Sequence, residues 1–169
     1  AASRGTGAAA RLLRRRGRFG RCAHRDRERL GVGRADQVAT FTLFSRALQV
    51  TENNFLAHNN LAIALDAKGE SKKAVFHYHH AIRLKPHNAL FRNNRGVAYF
   101  KLDLDERAIQ DFHEAIRLKN DSDEFYNNRG AVYTKLGQNR LAIKDYDEAI
   151  RLNPHNAFAY YNRGNLYVK

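Results

Sequence analysis

Tyr126-Asn-Asn-Arg-Gly-Ala-Val-Tyr-Thr-Lys-Leu-Gly137, then Leu141-Ala-Ile-Lys-Asp-Tyr-Asp-Glu-Ala-Ile-Arg-Leu-Asn-Pro154, is the stretch that decides the fold. Its phrases return along the chain. Asn60, Asn94, Asn128 and Asn162 recur every 34 residues, each inside the same local wording: His-Asn-Asn60-Leu-Ala, Arg-Asn-Asn94-Arg-Gly, Tyr-Asn-Asn128-Arg-Gly, Tyr-Tyr-Asn162-Arg-Gly. Such a period is too long for one helix or hairpin and marks a stack of like supersecondary units. The same step links Phe44, Tyr78, Phe112 and Tyr146, then Ala47, Ala81, Ala115 and Ala149, then Leu48, Ile82, Ile116 and Ile150. Helical spacing of these apolar positions, with only two prolines in the chain, predicts an all-α protein.

Each unit reads as two helices. The first carries a small residue (Ala62, Gly96, Gly130, Gly164) one turn before a larger one (Leu65, Tyr99, Tyr133, Tyr167), so that a neighbouring helix can approach closely. The second carries Ala74, Ala108 or Ala142 ahead of its aromatic. Asn54, Asn88, Ser122 and Asn156 stand before the first helices, and Ser71, Asp105 and Asn139 before the second, all good N-cap types. Gly69 and Gly137 mark where a first helix stops, with Asp103 in the equivalent place, while Pro86 and Pro154 follow second helices. The expected layout is a half-repeat at 36–54, full repeats at 55–88, 89–122 and 123–156, and the first helix of a further repeat at 157–169.

The formal net charge of +13 is unevenly placed. Residues 1–34 hold eleven arginines against Asp26 and Glu28. The 1–35 segment, rich in Arg, Gly and Ala, is expected to stay disordered. It reads as a solvated tail, as a targeting segment, or as an Arg-rich arm for RNA or acidic lipid. One cysteine, Cys22, can form no internal disulfide and points to a reducing compartment. No apolar run reaches the roughly 18 residues of a membrane span. Cytoplasm is the expected location, with ciliary or organellar assembly also open.

The stretches at 126–137 and 141–154 closely resemble the consensus of the tetratricopeptide repeat (TPR), and the resemblance covers residues 36–169. It implies antiparallel helix pairs wound into a right-handed superhelix, first helices lining a concave groove that holds a peptide or extended segment. The residues it places there include Leu56, Asn59, Asn60 and Ile63; Leu90, Asn93, Asn94, Val97, Phe100 and Lys101; Glu124, Asn127, Asn128 and Lys135; and Phe158, Tyr161 and Asn162. The asparagine column also resembles the ladder in the superhelix of O-linked N-acetylglucosamine transferase, where such amides hold peptide backbone. An amide in this place can equally satisfy the neighbouring helix, because both uses draw on the same donor and acceptor. The carboxylate clamp of chaperone-binding repeats does not fit, since its positions fall on Asn59, Ile63, Glu124 and Asn128.

Arg95 with Asp111, and Arg129 with Asp145, are exchanged jointly for Leu61 and His77 in the first full unit, which predicts a structural ion pair inside each later unit. His77 and His80 could both face a metal, but no third ligand accompanies them, so an exposed polar face is expected and no cofactor is implied. No triad, phosphate loop or carboxylate pair suggests catalysis. The sequence therefore reads as a non-catalytic scaffold or adaptor whose partner is a protein or peptide. The alternatives are a substrate-recognition arm of a larger enzyme or assembly, and an organelle-targeted or RNA-associated protein acting through the Arg-rich head.

Overall fold

In the computed structural model the described residues are 34–51 and 53–167, with side chains described from residue 39 onward. The readings placed on the Arg-rich head, and the end of the 157–169 segment beyond Tyr167, lie outside them. The described residues form eight helices and no strand: α1 Arg34–Val50, α2 Phe55–Ala67, α3 Ser71–Leu84, α4 Ala89–Lys101, α5 Asp105–Leu118, α6 Asp123–Lys135, α7 Asn139–Leu152 and α8 Ala157–Tyr167. From α2 onward, first helices (α2, α4, α6, α8) alternate with second helices (α3, α5, α7). Each pair packs on itself, and each second helix packs on the next first helix.

The turns inside the pairs explain why the helices are cut at a constant place. At the end of α2, Gly69 takes φ +82, Gly69 N–H donates to Asp66 O and Glu70 N–H to Leu65 O. The same two bonds close α4 at Asp103 (φ 59) and Leu104, and α6 at Gly137 (φ 73) and Gln138. This is a Schellman closure, which needs a left-handed residue just beyond the helix; Asp tolerates that conformation better than most non-glycines. The closure puts Glu70, Leu104 and Gln138 at the N-cap positions of α3, α5 and α7, without side-chain caps. The expectation that Ser71, Asp105 and Asn139 cap these helices is therefore corrected: each is the first helical residue. Ser71 Oγ donates to Asp66 Oδ1 at 2.6 Å, and Asp105 accepts from Lys135 at 2.7 Å. Ahead of the first helices, Asn54, Asn88 and Asn156 do cap, accepting from Ala57, Phe91 and Ala159 N–H; Ser122 makes no such bond.

Packing follows the small-then-large pattern. A Cβ on Gly96 would sit 2.8 Å from Phe112 Cε1, and one on Gly130 2.8 Å from Tyr146 Cε1. The glycines thus let an aromatic ring lie flat on the first helix of its own pair. Phe112 and Tyr146 are fully buried, as are Ala108, Ala115, Ala142 and Ala149. The Tyr146 hydroxyl bonds Thr134 Oγ1 at 2.9 Å, and burial pushes its pKa up to about 12. The cluster of Leu61, Ala62, Leu65, Ala74 and Tyr78 of the first full unit, with Ala98 of the next, also takes Phe41, Phe44 and Leu48 of α1. Each large side chain buried in this way contributes roughly 1.5–3 kcal/mol.

The anticipated ion pairs are formed. Arg95 grips Asp111 bidentately, Nε to Oδ2 at 2.7 Å and Nη2 to Oδ1 at 2.8 Å; Arg129 grips Asp145 at 2.9 and 2.8 Å. Both carboxylates are buried. Arg163 meets Asp147 instead.

Candidate functional site

The asparagine column stands on the first helices, and each member is half-buried. Asn94 Nδ2 donates to Asn59 Oδ1 at 3.4 Å, Asn128 Nδ2 to Asn93 Oδ1 at 3.0 Å, and Asn162 Nδ2 to Asn127 Oδ1 at 3.1 Å. The amides therefore form a one-way ladder, each unit donating to the unit before it. The inter-helix use of the column is realised. It does not exhaust the groups, since one bond takes one N–H of a side chain that also has a second N–H and two lone pairs on oxygen.

The preceding asparagines behave differently. Asn93 is 0% accessible, accepting from Asn128 while donating to Glu124 Oε1 at 3.1 Å. Asn59 is also buried; with Leu90 standing where the next unit has Glu124, its Nδ2 turns to Asn60 Oδ1 at 3.1 Å. Asn59 and Asn93 are thus parts of the seam between units and lie behind the face a guest would meet. Asn127 is half-buried and accepts from Asn162.

The lysines are engaged as well. Lys101 Nζ bonds Asp66 of the previous unit. Lys135 Nζ bridges Asp103 at 2.8 Å and Asp105 at 2.7 Å, and lies 5.2 Å from the centre of the Phe100 ring. Lys101 and Lys135 act first as ties between successive units. The sequence signal was available: Asp66 and Lys101 are 35 residues apart, the same offset as Asn59 and Asn94. Ile63, Val97 and Phe100 are half-buried and pack on core clusters that span neighbouring units. Large apolar side chains left open on the first helices include Leu56 at 55%, Leu90 at 48%, Phe158 at 45% and Tyr161 at 58% exposure, beside the exposed polar Lys101, Glu124, Lys135 and Asn165.

A second cluster lies at α2 and α3. His58 Nδ1 and His77 Nδ1 stand 3.1 Å apart, and the His80 ring stacks on His58 at 4.9 Å. Burial, then His58 and His80, hold the His77 pKa down to about 4, so the ring is neutral. His58 is the member that sequence reading missed, because the antiparallel turn, not helical spacing, brings it to His77. Among the described residues no group of three or more His, Cys, Asp or Glu could hold a metal ion. No helix among them is long and apolar enough to cross a membrane.

A family model described as tetratricopeptide repeat matches residues 56–88, and one described as TPR repeat matches 105–137 and 130–169. No curated protein matches the chain. Of solved structures, the Arabidopsis OM64 TPR domain is 26% identical with a TM-score of 0.66, over 68% of this chain and 97% of that one. The second TPR domain of human RPAP3, solved in complex with the HSP70 peptide SGPTIEEVD, is 27% identical with a TM-score of 0.64, over 66% and 93%. MamA, at 24% identity and a TM-score of 0.74 over 85% and 82%, shares the fold.

Proposed function

The chain belongs to the tetratricopeptide-repeat family, and from that premise we propose that it is a non-catalytic adaptor holding an extended segment of a partner protein along its first helices. One observation carries the reading. The column amides Asn94, Asn128 and Asn162 are lined up by inter-unit bonds and Asn60 accepts from its neighbour Asn59, while Leu56, Leu90, Phe158 and Tyr161 stay exposed on first helices. Aligned amides suit main-chain hydrogen bonding, and exposed apolar side chains suit shallow pockets for side chains of the guest. Peptide binding by the RPAP3 domain supports the general mode.

The chemistry of the guest differs from an acidic terminus. Asn59, Ile63, Glu124 and Asn128 supply no cation, and Lys101 and Lys135 are already paired with aspartates. The groove therefore favours a neutral segment with apolar side chains. The test is selection of binders from a displayed peptide library, followed by titration against wild type and an Asn94→Ala, Asn128→Ala variant. Affinity should fall about tenfold or more while the fold persists by circular dichroism. Equal affinity for both proteins would move the binding site off the ladder.

A further inference from the structure

The first full unit departs from its siblings on its outer side. Residues 55–88 hold five Lys or Arg against two acids, whereas 89–122 hold six against six and 123–156 five against five. Both acids of the first unit are spoken for: Asp66 by Lys101 and Ser71, Glu70 by Lys73. On α5 and α7 the outward Arg117 and Arg151 are neutralised by Glu114 and Glu148 one turn earlier, in bidentate pairs. On α3 His80 stands where those acids are, and Arg83 lies 3.5 Å from its ring. Lys72, Phe76, His79 and Arg83 are all exposed and follow one another at helical spacing along a single stripe of α3, with Lys73, paired to Glu70, beside it. Phe76 is 59% exposed in the middle of it, edge-on to His77 and His80. The described side chains of α1 add Arg46 and no acid.

We propose that this stripe is a second docking surface, fitted to a short acidic segment of a partner protein that carries one bulky apolar side chain to set against Phe76. The face is basic because acids present in the other two units are replaced, and it holds an uncovered aromatic ring where they have Gln110 and Lys144. The distance from Lys72 to Arg83, eleven residues apart, is roughly 17 Å along the helix. Beyond it, α5 presents the exposed Glu106 and the neutralised Glu114–Arg117 pair, so the basic face does not continue along the array as the run of a nucleic-acid backbone or a charged membrane would need. The partner is therefore a local acidic patch, not a polyanion. The surface is independent of the asparagine ladder.

The experiment is fluorescence anisotropy with a labelled peptide in which glutamates flank a single tryptophan, titrated with the full chain at two salt concentrations. Wild type should bind, more weakly at the higher salt. His80→Glu, which installs the acid found at Glu114 and Glu148, should weaken binding about tenfold, and Phe76→Ala severalfold. Asn94→Ala, on the ladder, should leave this binding unchanged, as should Arg107→Gln on α5. The proposal is overturned by absence of binding to wild type, by equal loss in Arg107→Gln and His80→Glu, or by single-stranded RNA or anionic vesicles binding more tightly than the peptide and losing that binding in His80→Glu.

Discussion

One methyl group separates what Gly130 and Gly164 can tolerate. A Cβ at Gly130 would press on the buried Tyr146 ring at 2.8 Å, and that ring is tied to the same helix by its hydroxyl bond to Thr134. A Cβ at Gly164 would meet nothing within 4 Å. Overpacking of this kind costs about 1–3 kcal/mol, and the gain from replacing a helical glycine, ~1 kcal/mol, only partly offsets it. Gly130→Ala should therefore lower the midpoint of urea unfolding, while Gly164→Ala should leave it unchanged or raise it. The two substitutions are identical on paper and occupy equivalent positions 34 residues apart. A propensity argument alone gives them the same sign, so opposite shifts would isolate the contact with the ring.

At the scale of helices, the arginine–aspartate ties and the arginine–glutamate pairs look alike in distance but not in surroundings. Arg129 and Asp145 are 15% and 7% exposed and join two helices, whereas Arg151 and Glu148 lie on the open side of α7. Asp145→Ala should cost about 3 kcal/mol, because it strands a guanidinium, while replacing both partners by apolar residues should cost less. Glu148→Ala should barely move the transition; chemical denaturation of the three variants decides it. The Arg–Asp tie was legible in the sequence because both members change together at Leu61 and His77. The helix pairs were legible because core residues and glycines share one period. The caps of the second helices were not, since the Schellman closure shifts each helix start by one residue and no residue preference reports that shift. The place of Asn93 was hidden for a related reason: it is the neighbour of a column residue, and a one-residue rotation on a helix moves a side chain by about 100°, from the open face into the seam.

Over the whole molecule, the first full unit is the one whose inner tie is made of imidazoles. Where the later units hold an ion pair, His77 meets His58, with His80 stacked beside them and Arg83 near His80. The folded His77 pKa, about 4, lies below the ordinary 6.5, so folding favours the neutral ring. Its contribution is complete above pH 6.5 and is lost as the pH falls toward 4. Burial likewise lowers the pKa of His58 and His80, which adds in the same direction. Hydrogen exchange between pH 7 and 5, corrected for intrinsic rates, should thus show α2 and α3 losing protection ahead of α6 and α7. In His77→Gln the gap should narrow, and uniform loss across the array would refute the assignment. The amide ladder has its own arithmetic. Neighbouring helices stand about 8–10 Å apart, and an extended strand climbs about 3.3 Å per residue. Hooks fixed to adjacent helices would then fall beside every third residue of a strand laid across them. Because side chains of a strand alternate in pairs, consecutive hooks would meet opposite edges of the visitor, so the array would read in triplets a polymer that is pleated in twos.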